Sequence, residues 1–218
     1  MTSGFDALVA GYRRFRASEW EEQRARWHAL SEGQTPQVMV ISCSDSRVDP
    51  SQIFDASPGE IFVVRNVAAL VPPYEVGGGR HGVSAALEFA VTQLEVPEIV
   101  VMGHGACGGI AAALSRRFET AAPGEGGFIA DWIRVLDKAR DRILAERGDG
   151  PEALRALEFE SIKLSLANLR GFPFVPAREQ AGRLKLHGAL FSIADGILHV
   201  LDEASGEFVA TPAPARGA

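Results

Sequence analysis

Three short apolar segments in the first half of the chain have the length and continuity of buried strands. They occupy residues 38–42, 61–64 and 99–102. Continuous apolar runs rich in β-branched residues are typical of strands covered on both faces, as in a parallel sheet. Between the second and third segments, apolar residues recur at helical spacing: Val83, Leu87, Ala90, Val91 and Leu94. A helix between strands indicates a parallel crossover, so we predict an α/β fold with a central, mainly parallel sheet and flanking helices.

The N-terminal residues carry the pattern of an amphipathic helix. Apolar side chains recur every three or four positions: Phe5, Leu8, Val9, Tyr12 and Phe15. Apolar periodicity does not identify the surface that a helix covers. We therefore predict a helical arm over residues 1–33, which either packs as an ordinary helix or clasps a second subunit.

The second half of the chain predicts further helices and then an antiparallel edge. Apolar residues at helical spacing cover residues 129–144 and 151–169, with glycine stop signals at 148 and 171. The pair Asp195-Gly196 separates two apolar segments, residues 184–193 and 197–201, and this arrangement is typical of a β-hairpin. The hairpin predicts an antiparallel strand at the C-terminal edge of the sheet.

Length, composition and charge restrict the class of protein. With 218 residues, 46% of them apolar, the chain has the size of one globular domain. We place its core at residues 34–203 and a tail at residues 204–218, which is expected to fray from Thr211 onwards. A formal charge of −6 and a pI near 5.4 disfavour nucleic acid and anionic membranes as partners. Without a signal-like N-terminus or an apolar run of about 18 residues, we expect a cytoplasmic protein with a small-molecule ligand.

Two short polar motifs follow the first and third predicted strands. Cys43-Ser-Asp45-Ser-Arg47 comes directly after the first, and the third is followed by Gly103 and then His104-Gly-Ala-Cys107. Because the carboxyl ends of parallel strands open onto a common crevice, the two cysteines and the histidine can converge. In a reducing compartment, the chain's two cysteines are better explained by a metal or by catalysis than by a disulfide.

The three converging residues form a donor set suited to zinc. Two thiolates and one imidazole match the softness of Zn²⁺, and three protein ligands leave a fourth tetrahedral position for water. The cation lowers the pKa of bound water from about 15.7 towards neutrality, which makes hydroxide available for attack on a carbonyl-like carbon. Asp45 can accept a hydrogen bond from this water, while Arg47 keeps the carboxylate ionised in fork geometry.

Two other interpretations of these segments stay open. Gly103-x-Gly105-x-x-Gly108 follows a strand and precedes a predicted helix, which matches a dinucleotide-binding fingerprint. The segment about twenty residues further on is loop-like, however, and lacks the second strand that should present a ribose-binding carboxylate. The glycines are better explained by a tight metal-binding turn. A structural zinc site with a fourth protein ligand is the other alternative.

At these motifs the chain resembles the β-carbonic anhydrases, and the likeness extends from about Gln34 to the C-terminal hairpin. Their C-x-D-x-R and H-x-x-C motifs are present, and segments 58–67 and 184–188 are also similar. The resemblance implies reversible hydration of carbon dioxide to bicarbonate, with one Zn²⁺ per subunit, in a homodimer or an assembly of dimers. The metal ligands and the catalytic pair that it implies are Cys43, His104, Cys107, Asp45 and Arg47. Related enzymes that hydrolyse carbon disulfide or carbonyl sulfide share the metal motif and are an alternative.

The resemblance also implies a substrate pocket. The positions that match it are Gln34, Phe62, Val67, Phe89 and Gly108. An apolar wall suits a small nonpolar gas, whereas an amide side chain and a backbone N–H can orient bicarbonate. Phe89 stands where relatives often have tyrosine, so a role for that hydroxyl is absent here.

Some relatives hold a regulatory bicarbonate with tryptophan, valine and arginine. The matching positions here are Val40, Val48 and Arg65, so the tryptophan is missing. We therefore expect an open site, in which Asp45 bonds to Arg47 and becomes a fourth zinc ligand only in a closed form.

Overall fold

The computed structural model of the protein describes residues 3–77 and 81–212. It divides into two compact units, of which the first extends to Thr35 and the second begins at Pro36. Within these described ranges, no helix combines the length and the apolarity needed to span a bilayer.

The first unit is helical, as the spacing of its apolar residues predicts. Its helices are α1 (Gly4–Ala17), α2 (Glu19–Glu22) and α3 (Arg24–Glu32). Ser3 caps α1 by accepting a hydrogen bond from the N–H of Asp6, whose carboxylate accepts from the N–H of Ser3 in return. On the apolar face of α1, Phe5, Leu8 and Tyr12 are 73%, 71% and 61% exposed. This apolar face is therefore open to solvent in the single chain.

A six-stranded sheet forms the centre of the second unit. Its strands are β1 (Val38–Cys43), β2 (Ile61–Asn66), β3 (Glu98–His104), β4 (Lys185–Phe191), β5 (Leu198–Asp202) and β6 (Glu207–Ala210). Their order is β2-β1-β3-β4-β5-β6; β1 to β4 are parallel, and β5 and β6 are each antiparallel to the preceding strand. This topology confirms the predicted α/β class with a mainly parallel sheet and an antiparallel C-terminal edge.

Helices connect the strands and supply most of the remaining core. They are α4 (Pro50–Ile53), α5 (Gly82–Glu88), α6 (Gly108–Leu114), α7 (Gly127–Ile133), α8 (Asp137–Arg147), α9 (Pro151–Leu169) and α10 (Phe174–Gln180). Shorter turns of 3-10 type cover Val67–Ala69 and Arg134–Leu136, and a π-helical turn covers Phe89–Gln93. The longest helix, α9, begins at a proline and ends two residues before Gly171, as predicted from the sequence.

Two glycines allow α9 to lie close to β3 and β4. A Cβ atom at Gly103 would lie 2.9 Å from Cδ1 of Ile162, and one at Gly188 would lie 2.9 Å from Cγ2 of the same side chain. Ile162 and Leu166 belong to the apolar cluster that also contains Met39 of β1. Full burial of such a side chain contributes about 1.5–3 kcal/mol, so this contact fixes α9 against the strands that lead to the site.

The C-terminal end differs from the prediction. The tail expected at residues 204–218 contains β6, and the N–H of Thr211 extends the pairing by donating to the carbonyl of Leu198 (2.7 Å). A four-residue edge strand is too short for periodicity to reveal it. The fraying predicted from Thr211 onwards falls mostly outside the described residues.

Candidate metal centre

The carboxyl ends of β1 and β3 bring three candidate ligands to one edge of the sheet. β1 ends at Cys43 and β3 at His104, and the two strands are adjacent and parallel. Cys107 lies three residues further on and immediately precedes α6. One ligand atom from each residue lies within 4.8 Å of the other two, and the two Sγ atoms are 4.0 Å apart. The structure thus gathers the three buried residues that the two motifs single out.

The positions of these atoms fit a tetrahedral metal ion. Two sulfurs bound to zinc at about 2.3 Å in tetrahedral geometry lie about 3.8 Å apart, close to the separation of the two Sγ atoms. Nδ1 of His104 lies 3.0 Å from the carbonyl oxygen of Gly105 and, as N–H, donates to it, which leaves the lone pair on Nε2. Nε2 is buried and has no hydrogen-bond partner. Two sulfurs and an unpartnered imidazole nitrogen are donors that suit zinc.

The group has three members, as a catalytic zinc site requires. In the part of the chain that the structure describes, no further histidine, cysteine, aspartate or glutamate joins it. A closed structural site uses four protein ligands, whereas a catalytic site keeps one position for water or substrate. The geometry therefore does not support the alternative of a structural zinc site.

Hydrogen bonds prepare the sulfurs for a cation. Donation from the Cys107 thiol lowers the pKa of Cys43 against the opposing effect of burial, and His104 and the N–H groups of Asp45 and Ala68 lower it further. The same bond, together with burial, raises the pKa of Cys107, while two N–H groups at the start of α6 oppose the rise. These hydrogen bonds favour the thiolate form of Cys43 and hold its sulfur in place.

Asp45 and Arg47 form a bidentate ion pair beside the three ligands. Nε of Arg47 donates to Oδ1 of Asp45 (2.9 Å), Nη2 donates to Oδ2 (2.7 Å), and the backbone N–H of Arg47 also donates to Oδ1 (3.0 Å). These bonds hold the pKa of Asp45 well below its usual range. Oδ2 of Asp45 lies 3.9 Å from Nε2 of His104. Nη2 of Arg47 also donates to the carbonyl of Ala106 (3.3 Å), which links the two ligand-bearing loops.

A second arginine, Arg65 of β2, bonds the loop that carries Cys43 and Asp45. Its Nε donates to the carbonyl of Cys43 (2.9 Å), its Nη2 to the carbonyl of Asp45 (2.6 Å), and its Nη1 to Oδ2 of Asp49 (3.0 Å). Val40 and Val48, which the family resemblance matches together with Arg65 to a regulatory bicarbonate pocket, are buried. Two donor groups of Arg65 thus bond the backbone of the loop that carries Cys43 and Asp45, and a third bonds the Asp49 side chain.

The turn between the second and third ligands depends on alanine and not on glycine, so our explanation of the glycines is wrong. Ala106 has a φ of 56°, in the left-handed region, whereas the glycines of the fingerprint lie outside it: Gly103, Gly105 and Gly108. Gly103 is instead required by the close approach of α9 described above. A Cβ atom at Gly109 would lie 2.8 Å from Cγ1 of Val67, so this glycine is also required by packing.

The dinucleotide-binding interpretation of this loop finds no support in the fold. The loop presents His104 and Cys107 to the ligand group, and the helix that follows it has only seven residues. Residues 115–126, all of which are described, form turns and contain no strand. The second strand that a ribose-binding carboxylate needs is therefore missing from this position.

Two supporting features of the site were not predicted, and the first follows β2. Ala68 and Ala69 have φ values of 68° and 56°, and Asn66 closes this turn by bonding both the N–H and the carbonyl of Leu70. The turn directs the N–H of Ala68 to the sulfur of Cys43. Alanine seldom adopts the left-handed region, so its presence in the sequence gives no signal for such a turn.

The second unpredicted feature is Glu158 of α9, whose Oε1 accepts a hydrogen bond from the N–H of Cys107 (3.2 Å). The sequence does offer a signal for it. Glu158 lies four residues after Leu154 and four before Ile162, which places a charge on the apolar stripe of a helix.

The residues matched to a substrate pocket occupy several elements. Phe62 of β2 contacts Phe89, with ring centroids 6.0 Å apart, and Phe89 is exposed. Val67 follows β2 directly and is also exposed, and Gly108 is the first residue of α6. Gln34 is an exposed residue of the first unit. Their roles in binding a substrate stay predictions.

A Cys-His-Cys group that could hold a metal ion, at the carboxyl edge of a mainly parallel sheet, is typical of an α/β metalloenzyme. The family model for carbonic anhydrase matches residues 38–198. Beta carbonic anhydrase 3 from Arabidopsis thaliana is 35% identical over 211 residues, which are 95% of this chain and 80% of that protein.

Solved structures share the whole fold. The β-carbonic anhydrase CcaA superposes with a TM-score of 0.88 at 32% identity, covering 96% of this chain and 100% of that one. A tetrameric β-carbonic anhydrase from Sordaria macrospora superposes with a TM-score of 0.77 at 26% identity, covering 90% and 96%. The chain belongs to the β class of the carbonic anhydrase family, enzymes that hydrate carbon dioxide.

Proposed function

We propose that the protein interconverts carbon dioxide and bicarbonate at one zinc ion per subunit, held by Cys43, His104 and Cys107. One observation carries the proposal. Two sulfurs and the buried, unpartnered Nε2 of His104 lie within 4.8 Å of one another, in a group that no fourth protein ligand completes among the residues described. A bound zinc ion would lower the pKa of water towards neutrality and so supply a nucleophile at neutral pH.

In this proposal, Asp45 orients the reacting O–H group and Arg47 keeps Asp45 ionised. A carboxylate has about four acceptor positions, two on each oxygen. Oδ1 accepts two hydrogen bonds from Arg47, whereas Oδ2 accepts one. Oδ2, which lies on the side of His104, therefore keeps a position for one further donor. Because the arginine stabilises the charged form, the carboxylate acts as an acceptor and not as a proton donor.

We further propose that this arrangement is the open state of the site. To become a fourth ligand, Asp45 would have to give up three hydrogen bonds with Arg47. Water weakens each of these bonds because the Arg47 side chain is half exposed, but all three would have to break together. The pair therefore favours the open state over the closed one.

The proposed pocket offers one kind of surface to each substrate. Phe62, Val67 and Phe89 supply the apolar wall for carbon dioxide. The backbone N–H of Gly108 donates to bicarbonate and orients its oxygens. The role of Gln34 in the first unit stays a prediction from the sequence.

We also propose a homodimer or an assembly of dimers. The exposed apolar face of α1, formed by Phe5, Leu8 and Tyr12, is the surface that we assign to contact with a second subunit. The tetrameric relatives from Sordaria macrospora support an assembly of this kind. A monomer in light scattering at assay concentration would contradict it. The cytoplasmic location stays a prediction from the sequence.

The variant Asp45→Asn tests the proposed chemistry. It keeps the size of the side chain but removes its charge and replaces one acceptor by a donor. We expect kcat/KM for carbon dioxide hydration to fall about 100-fold, while the zinc content stays at one per subunit because Asp45 is not a member of the ligand group. Stopped-flow hydration and metal analysis of one preparation give both quantities.

Asp55→Asn is the matched control for this experiment. Asp55 is exposed and has a φ of 48°, a conformation that asparagine adopts readily, so we expect wild-type hydration. Unchanged hydration in Asp45→Asn would contradict the role of the Asp–Arg pair. A wild-type protein that binds no zinc would contradict the metal site, and preferred turnover of carbonyl sulfide or carbon disulfide in parallel assays would contradict the substrate.

A further inference from the structure

Glu158 is a buried charge outside the residues assigned so far to metal or substrate. Its side chain is 3% exposed and lies on α9, among the apolar residues that cover the sheet. Burial of a carboxylate is unfavourable by several kcal/mol unless hydrogen bonds and counter-charges compensate it. Its partners therefore indicate why the charge is placed there.

The partners of Glu158 are the backbone of the turn between two ligands and one arginine. Oε1 accepts a hydrogen bond from the N–H of Cys107 (3.2 Å), and the N–H of Ala106 is a second donor to the carboxylate. Oε2 lies 3.7 Å from Nη1 of Arg155, one turn earlier on α9. The carboxylate thus bonds two successive N–H groups, the second of which belongs to a proposed zinc ligand.

The turn that Glu158 bonds is strained. Ala106 lies in the left-handed region at a φ of 56°, which is unfavourable for an L-residue by roughly 1–2 kcal/mol. Such a conformation persists only when surrounding contacts hold it. The turn also sets the spacing of the ligands, because His104 is the last residue of β3 and Cys107 the residue before α6.

We propose that Glu158 is a positioning residue, which holds the turn of Ala106 and thereby keeps Nε2 of His104 and Sγ of Cys107 at ligating separation before a metal arrives. The proposal rests on the zinc site proposed above. Without the carboxylate, the buried N–H of Cys107 loses its acceptor and the turn relaxes. Cys107 then moves away from the sulfur of Cys43, from which it is now 4.0 Å.

Two substitutions at Glu158 separate loss of the acceptor from loss of the charge. Glu158→Ala removes both, and we expect zinc affinity to fall about 100-fold, at the upper end of the range for residues that support metal ligands. Glu158→Gln keeps volume and one acceptor oxygen, and we expect a loss of about 10-fold. Zinc affinity is measured by competition with a chromogenic chelator. The cobalt-substituted proteins provide a second readout, because thiolate-to-cobalt absorption reports the ligand geometry directly.

The matched control is Glu160→Gln, on the same helix. Glu160 is more exposed and pairs with Arg142 on another helix, so this change should leave zinc affinity and the cobalt spectrum at wild-type values. A merely structural role for Glu158 would lower the free energy of unfolding without changing the cobalt spectrum of the folded variant, and that result would overturn the proposal. If Glu158→Ala fails to fold, the zinc affinity and cobalt spectrum of Glu158→Gln test the proposal.

The outcomes also distinguish this inference from the proposed function. Wild-type protein that binds zinc tightly, with Glu158 variants that bind it equally well and give the wild-type cobalt spectrum, overturns the positioning role alone. Wild-type protein that does not bind zinc overturns both. Weakened zinc binding in the order Ala, Gln, wild type supports the positioning role.

Discussion

The two loops that carry the proposed zinc ligands are supported by side chains of opposite charge. The loop after β1 is bonded by Arg65, a cation whose N–H groups donate to the carbonyls of Cys43 and Asp45. The loop after β3 is bonded by Glu158, an anion that accepts from the N–H of Cys107. The first loop presents carbonyls to Arg65 and the second presents N–H groups to Glu158, so a cation suits the first position and an anion the second.

The two supports also differ in their access to water. The side chain of Arg65 is 28% exposed, whereas that of Glu158 is 3% exposed. Water can replace a lost hydrogen bond at a partly exposed position, but a buried group that loses its partner stays unsatisfied. We therefore expect the loop after β3 to be the more sensitive of the two to loss of its support.

Loss of a ligand thiolate should have the same effect in both loops, because each loop contributes a direct ligand. In Cys43→Ala and in Cys107→Ala we expect zinc affinity to fall by more than about 100-fold, beyond the range for residues that only support ligands. Zinc content after gel filtration should approach zero in both variants. Ser46→Ala, at an exposed position in the first loop, should keep the wild-type content. A cysteine variant that retains its zinc would show that the loops do not share one ion.

Replacement of Arg65 by methionine tests whether losing a partly exposed supporting side chain lowers zinc affinity less than losing a buried one. Methionine keeps the aliphatic bulk but donates no hydrogen bond to the loop of Cys43 and Asp45. We expect a loss of stability of about 2 kcal/mol and a fall in zinc affinity of about 10-fold, smaller than that of Glu158→Ala. Urea unfolding and chelator competition measure the two quantities.

Two further variants control the arginine experiment. Arg134→Met removes an exposed ion pair with Asp131 and should change the free energy of unfolding by less than about 0.5 kcal/mol. Arg65→Lys keeps the charge but lacks the guanidinium fork that reaches several acceptors. We therefore expect its zinc affinity and free energy of unfolding to be close to those of Arg65→Met. If Arg65→Met lost more zinc affinity than Glu158→Ala, burial would not be what sets the sensitivity of the loops.

The fold could be predicted where an element is long enough to show its hydrophobic pattern in the sequence. β1 and β3 are β-branched apolar runs of strand length, and α9 has helical spacing between Pro151 and Gly171. β6 and α10 escaped prediction for physical reasons. β6 is a four-residue edge strand, and α10 spans seven residues with Pro176 near its start, so neither is long enough to show a period.

The ligands could be predicted because topology and motif give the same answer, but the contacts of Arg65 and Glu158 with the ligand loops could not. Strand ends in a parallel sheet meet at one edge, so Cys43 and His104 were expected to be neighbours without any knowledge of side-chain contacts. Glu158 follows Cys107 by 51 residues, and its contact depends on how α9 lies on the sheet. The left-handed turn at Ala106 depends in the same way on contacts that are distant in the sequence.

The smallest expected effect concerns the backbone of the loop after β3. Glycine at position 106 would remove the strain of a left-handed alanine, but it would also add freedom to the unfolded chain, which costs about 0.5–1 kcal/mol. We expect the strain to outweigh this freedom, so that Ala106→Gly raises the free energy of unfolding by at most about 1 kcal/mol. The same change at Ala111, inside α6, should lower it by about 1 kcal/mol, because a helical backbone gains nothing from glycine.

Urea unfolding measures both variants. If Ala106→Gly raises the free energy of unfolding and Ala111→Gly lowers it, the first change reports backbone strain and not the loss of a methyl group. These opposite signs would also explain why the loop after β3 needs a buried acceptor, since a strained turn relaxes when its bonds are removed. Equal destabilisation by Ala106→Gly and Ala111→Gly would show that position 106 stores no strain. The greater sensitivity of this loop would then have to come from the burial of Glu158 alone.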